Sequence, residues 1–181
     1  MPSAGKALAV VAHPDDCVIF ALPFIEHHSQ YQWHIVYLTY TMVDPRAQEV
    51  GAFWAQRNIT TEFLGFVDDF QDQQTQKFNF WTPVEAERNI HRAVNAAQPD
   101  LILTHNQDGD YGHIHHKLVH DAVSKINVPQ IYFASTFNAT DQFRANDYDL
   151  DDLPLHKSVI TDFQDRLTGR YIITEQARSF V

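Results

Sequence analysis

The chain has 181 residues, 44% apolar and 20% charged, the composition of a globular protein large enough to bury one substantial core. Its formal charge of −10, from 13 Lys and Arg against 23 Asp and Glu, repels phosphate backbones and argues against nucleic acid as a partner. One cysteine, Cys17, excludes an internal disulfide and any multi-cysteine zinc site, and no apolar run approaches the roughly 20 residues of a membrane span. No leader segment stands out, so a cytoplasmic location is the expectation.

The first element is an apolar run, Ala7 to Ala12, that stops at His13-Pro14-Asp15-Asp16. Small and β-branched residues without alternation, closed by a breaker, read as a buried strand. Pro14 keeps His13 out of the helical region and suits the first turn of a helix. Helical character then runs from about Asp16 to His28, interrupted at Pro23. Trp33 to Tyr40 is aromatic and β-branched, a second strand. Thr41 to Pro45 is a loop. Arg46 to Asn58 places Val50, Phe53 and Trp54 at helical spacing. Thr60 to Phe66 reads as a third strand.

Residues 68–82 are rich in Gln and Asp, with Phe70, Phe78, Phe80 and Trp81 set among them; this stretch reads as a long loop beside the site, a lid or a plain surface loop. The aromatics fit best as anchors to the core, with stacking on a sugar ring as the alternative. Thr82 as N-cap and Pro83 behind it start a helix to about Ala97, with Val84, Ile90 and Val94 inward. Leu101 to Thr104 is a fourth strand, His105 to Tyr111 a loop, Gly112 to Ile126 a helix and Ile131 to Ala134 a fifth strand. Residues 138–154 are acidic and irregular, Leu155 to Leu167 is a last helix, and the chain closes on the apolar Tyr171 to Thr174. Alternating strands and helices without a domain boundary predict one α/β domain over residues 1–181: a Rossmann-like, mostly parallel sheet with helices on both faces.

Two polar clusters carry the chemistry. His13, Asp15 and Asp16 stand at the carboxyl end of the first strand, where open α/β sheets place their ligands. Five of the eleven histidines (His105, His113, His115, His116 and His120) fall within sixteen positions after the fourth strand, at the same sheet edge. His113 and His116 share a helical face, as do His116 and His120, while His115 points elsewhere. His13, Asp16 and His116 together offer two nitrogens and a carboxylate, the three-ligand set of a catalytic zinc that keeps a position open. His105, His120, His27 and His28 read better as surface or satisfied polar groups, and Cys17 as a small apolar helix residue.

Ala12-His13-Pro14-Asp15-Asp16 behind a strand, followed about a hundred residues later by Tyr111-Gly112-His113-x-x-His116, resembles the PIG-L/LmbE-type zinc-dependent N-acetylglucosaminyl deacetylases. Pro45-Arg46-x-x-Glu49, Phe63-Leu64-Gly65-x-x-Asp68 and Lys157 to Gln164 extend the resemblance more thinly. It implies a Rossmann-like fold and hydrolysis of an acetamide on an amino sugar. His13, Asp16 and His116 would ligate Zn2+. Asp15 would be the general base and then protonate the leaving amine, and His113 and Tyr111 would stabilise the oxyanion. Arg46 and Asp68 would bind substrate, the plainer readings being an Arg46–Glu49 pair and a turn residue. The chain departs from the family pattern in two places. His115 stands where the family commonly has Asp, a carboxylate expected to tune a neighbouring histidine. Cys17 to Pro23 makes a bulkier helix entrance than the family's acidic and glycine residues.

The expected activity is zinc-dependent N-deacetylation of an amino sugar or small glycoconjugate. The alternatives are an amidase for another small acylated amine, such as a modified nucleoside or thiol conjugate, or a binding module without turnover. A chain this short implies a small substrate or a pocket completed by a second subunit of a homo-oligomer.

Overall fold

A computed structural model describes residues 5–68, 78, 80–134, 137–146, 148, 153–155 and 168–181. Seven strands form one sheet: β1 (Lys6–Val11), β2 (Gln32–Thr39), β3 (Thr60–Phe66), β4 (Leu101–Thr104), β5 (Gln130–Phe133), β6 (Asp141–Arg144) and β7 (Thr168–Ile173). Their order is β3-β2-β1-β4-β5-β7-β6. The first five are parallel, and β7 and β6 add an antiparallel edge. The helices are α1 (Leu22–His27), α2 (Pro45–Ala55), α3 (Pro83–Ala97), the short turn α4 (Gly109–Gly112) and α5 (Ile114–Val123). This is the expected Rossmann-like architecture, with β1 at the point where strand order reverses.

The continuous apolar run of β1 is explained by its place at the centre of the sheet. Ala7, Ala9 and Val11 join one core layer with Phe24, Trp33, Trp54 and Tyr171, whereas Leu8, Val10 and Ala12 join a second with Ile90, Val94 and Val119. A strand buried on both faces cannot alternate. The two β-branched threonines at strand ends are satisfied internally, Thr39 Oγ1 donating to Ala12 O and Thr104 Oγ1 to Val10 O, each at 2.8 Å. These bonds lock the carboxyl ends of β2 and β4 onto β1.

Several expectations are corrected. The helix expected from Gly112 begins at Ile114, because His113 is extended (φ −68°, ψ 128°) and acts as its N-cap. The stretch 138–154 contains β6, a short edge strand. Val84 is exposed, and α3 packs through Ala86, Ile90, Ala93 and Val94 instead. The helix expected at 155–167 lies outside the described residues, apart from Leu155, as does most of the loop expected at 68–82. Of its aromatics, Trp81 is an anchor, with Nε1 donating to Val67 O at 3.0 Å and Phe78 stacked on its ring, whereas Phe80 is exposed.

Thr82 forms a full capping box with Glu85: Thr82 Oγ1 accepts the Glu85 N–H, and the Glu85 carboxylate accepts the Thr82 N–H. Thr82→Ala should therefore lower stability by about 1 kcal/mol in urea unfolding. An unchanged midpoint would show that the cap contributes nothing.

Candidate metal centre and active site

The loop after β1 is folded by its own carboxylate. Asp16 Oδ2 accepts the His13 N–H at 2.7 Å, and Asp16 N–H donates to His13 O at 3.2 Å. This closed turn aims both side chains back over the end of β1. A π-helical turn, Cys17–Ala21, follows at once and is wholly covered at Cys17, Val18 and Ala21. Such turns are frequent at functional sites. Cys17 sits in the core, as its small apolar character suggested.

Three donor atoms form a near-equilateral triangle. His13 Nδ1 lies 3.2 Å from Asp16 Oδ2 and 3.2 Å from His116 Nε2, and His116 Nε2 lies 3.3 Å from Asp16 Oδ2. Ligand bonds of about 2.0–2.2 Å in a tetrahedron give ligand–ligand separations of about 3.3–3.5 Å. The residues named from the sequence thus come together with the spacing of a tetrahedral cation site. The donor set of two imidazoles and one carboxylate suits zinc.

The outer nitrogens of the two histidines are each faced by a carboxylate. His116 Nδ1 is 2.8 Å from Asp110 Oδ2, so this ring donates outward and keeps its Nε2 lone pair for the triangle. His13 Nε2 is 3.0 Å from His115 Nδ1 and 3.4 Å from Asp68 Oδ1. Burial opposes ionisation of Asp110, but His105 and His116 outweigh it and hold its carboxyl well below the usual range. Burial likewise opposes ionisation of Asp16, and His116 and His13 overcome it.

Asp110 is absent from the sequence reading, whereas His105, read there as a surface or satisfied polar group, is a satisfied one that supports the centre. His105 follows β4 as His13 follows β1, is fully buried, and stacks on His116 with ring centroids 3.8 Å apart. Its Nε2 accepts the Ala12 N–H at 3.0 Å, so its proton sits on Nδ1 and is donated to Asp110. Asp110 occupies φ 63°, ψ −62°, a strained conformation for a residue with a Cβ. The same reading of His120 as a satisfied polar group is correct: its Nδ1 bonds His105 O. His28 and His27 bond backbone carbonyls in the same way.

His115 does not point away. It is fully buried against His13, Phe78 and Trp81 because the extended His113 resets the side-chain directions that follow it. Burial, with His13 beside it, lowers the His115 pKa to about 4, so the ring is neutral at pH 7. His113 accepts the His115 N–H at Nδ1, which fixes its own proton on Nε2. Burial, with His13 and His116 nearby, lowers its pKa to about 3. His113 is therefore a neutral ring with one N–H donor, and its ring lies 4.6 Å from that of His13 and 4.7 Å from that of His116.

Asp15 stands beside the triangle. Burial and the adjacent Asp16 charge push its carboxyl above the ordinary range, against the pull of Arg46 and His13. Arg46 Nη2 pairs with Asp15 Oδ2 at 3.1 Å, and not with Glu49. Arg46 Nη1 donates to Tyr40 OH at 2.8 Å, and Tyr40 OH donates to Asp68 Oδ2 at 3.1 Å. Tyr40, a further strained residue at φ 66°, thus links the base side of the site to the His13 side. Tyr111 is largely exposed; partial desolvation and the carboxylates of Asp16 and Asp15 raise its pKa, so its O–H remains a donor.

Residues 8–127 match the family described as "PIG-L: GlcNAc-PI de-N-acetylase". The chain belongs to the PIG-L family. The matched span contains every residue of the candidate centre, from His13 to His116. Among curated proteins the chain is similar to "Uncharacterized protein L374" of Acanthamoeba polyphaga mimivirus, 24% identical over 137 residues, or 69% of this chain and 59% of that relative. The chain thus spans about three-fifths of that relative's length.

Among solved structures, the zinc-inhibited form of teicoplanin deacetylase Orf2 matches with TM-score 0.54 and 17% identity, over 71% of this chain and 66% of that one. GalB, the 4-carboxy-2-hydroxymuconate hydratase from Pseudomonas putida KT2440, matches with TM-score 0.58 and 16% identity, over 90% and 75%. Likenesses this distant establish the fold. Because a deacetylase and a hydratase share it, the chemistry of this chain is argued from its own site.

Asp110→Ala would leave the Nδ1–H groups of His105 and His116 buried without an acceptor, at about 1–3 kcal/mol each. Urea unfolding of the metal-free chain should show this loss, and unchanged stability would contradict the shared-carboxylate arrangement.

Proposed function

We propose that this PIG-L family member is a zinc-dependent deacetylase that hydrolyses the acetamide of an N-acetylated amino sugar or small glycoconjugate. The observation that carries the reading is the triangle of His13 Nδ1, Asp16 Oδ2 and His116 Nε2, with edges of 3.2–3.3 Å and Asp15 beside it. Those three residues would hold the ion. When bound, zinc supplies Lewis acidity, lowering the pKa of water toward about 7 and polarising the acyl oxygen.

The remaining work falls to the chain. Asp15 accepts the proton of the attacking water as its oxygen bonds the acyl carbon. It then delivers that proton to the amide nitrogen as the C–N bond breaks, giving acetate and a free amine. A carboxyl raised by burial is a better base for this than an exposed one. Arg46 keeps Asp15 oriented through its 3.1 Å contact and holds a positive charge at the substrate side of the site. His113 Nε2–H and the Tyr111 hydroxyl are the neutral donors available to the developing oxyanion. Each such donor is worth about 2.7–4 kcal/mol in comparable sites.

The family description agrees with N-deacetylation, and the donor chemistry agrees with zinc. Purified protein loaded with zinc should release acetate from N-acetylglucosamine-type substrates, read by mass spectrometry. Asp15→Ala should lower turnover by about 10²–10⁴-fold while retaining zinc. Activity that survives Asp15→Ala, or that persists after chelation, would overturn the assignment.

A further inference from the structure

The His13 ring has to present Nδ1 as a lone pair toward Asp16 and His116, which places its proton on Nε2. What receives that proton is not the nearest polar atom. His115 Nδ1 is the nearer atom, at 3.0 Å, but a neutral imidazole is the weaker acceptor. Accepting at Nδ1 also forces the His115 proton onto Nε2, which is buried beside Phe78 and Trp81 and has no hydrogen-bond partner among the described residues. Asp68 Oδ1 lies 3.4 Å from the same His13 nitrogen and 3.7 Å from His115 Nδ1. It is buried, and otherwise has no hydrogen-bond partner among the described residues. A buried carboxylate oxygen in that state is stable only if a donor faces it.

We propose that Asp68 is a positioning residue for His13: its carboxylate holds the Nε2–H of that ring and so fixes Nδ1 as the nitrogen that faces the metal centre. This rests on the zinc reading of the site and deepens it. The two histidines of the triangle are then built alike, each with a carboxylate on its outer nitrogen: Asp110 from the turn after β4 for His116, and Asp68 from the end of β3 for His13. Tyr40 secures Asp68 from the other side, its hydroxyl donating to Oδ2 at 3.1 Å. The strained φ of 66° at Tyr40 accompanies that reach across from β2. His115 fills the remaining space as a neutral ring. This assignment replaces a direct contact between Asp68 and substrate.

An independent geometric consequence follows. In Asp and His side chains the first branch atoms, Oδ and Nδ1, stand at nearly the same reach from the backbone. His115→Asp therefore sets a carboxylate oxygen close to where Nδ1 now stands, within hydrogen-bond distance of His13 Nε2. It should substitute for a missing Asp68 charge.

The test is zinc affinity, measured by competition with a chromophoric chelator, alongside steady-state kinetics at saturating zinc. Asp68→Asn, which preserves shape, should weaken zinc binding by about 10–100-fold with KM unchanged once zinc is saturating. Adding His115→Asp to that variant should recover most of the affinity. Unaltered zinc affinity with a raised KM would overturn the proposal and return Asp68 to the substrate. A loss of affinity that His115→Asp does not reverse would also overturn it, by assigning the effect to the Tyr40–Arg46 network. Wild-type chain that binds no zinc would instead remove the zinc reading on which both stand.

Discussion

Asp16 is buried to 2% exposure, and the rest of the site is arranged around the cost of placing its charge there. An ionised carboxylate removed from water is tolerated only when cations or N–H donors surround it. Here the closing turn donates the His13 N–H to Asp16 Oδ2 at 2.7 Å, while the nitrogens that His13 and His116 turn to the same oxygen, at 3.2 and 3.3 Å, present lone pairs, as a shared cation would require. Those imidazoles need partners in turn. Asp110 answers His105 and His116, and Asp68 stands behind His13. Among the described residues, four carboxylates and five imidazoles therefore share one sheet edge, with each acid held near rings that moderate it. A divalent cation at the triangle would complete the charge balance that the side chains leave partial.

The fold delivers these groups from separate strands. His13 follows β1, Tyr40 follows β2, Asp68 follows β3 and His105 follows β4, and β1 lies at the reversal of strand order. Two residues bearing Cβ atoms, Tyr40 and Asp110, accept positive φ angles at this edge. Each such strain costs on the order of 1–3 kcal/mol and persists only where surrounding contacts over-determine it. The contacts in question are the hydroxyl bridge to Arg46 and Asp68, and the shared carboxylate between two histidines.

The five parallel strands and α3 could be read from the sequence because each is specified locally. Continuous apolar runs mark β1 and β4 as buried on both faces, aromatic and β-branched residues mark β2 and β3, and the Thr82-Pro83-x-Glu85 start marks a cap. The edge strand β6 could not, since Asp-Gln-Phe-Arg has weak strand preference and owes its conformation to β7. His13, Asp15, Asp16 and His116 were legible because a breaker behind a strand and a repeated spacing advertise them. The misreading of His115 came from running a helix through Gly112. Once His113 caps the helix in an extended conformation, helical spacing no longer tells where the 113, 115 and 116 side chains point. Asp110 and His105 required knowledge of a strained φ and of a ring stacked from α5, neither of which has a sequence signature. Family membership reinforces the two motifs and leaves these supporting residues to be found in the structure.

The proposed site has His13, Asp16 and His116 holding one four-coordinate ion with a position left open. X-ray absorption spectroscopy of the zinc-loaded protein tests this most directly. The predicted result is four nitrogen or oxygen neighbours at about 2.0–2.1 Å, two of them with imidazole scattering and none of them sulfur. A first shell with sulfur, with three or more imidazoles, or with six ligands would contradict it.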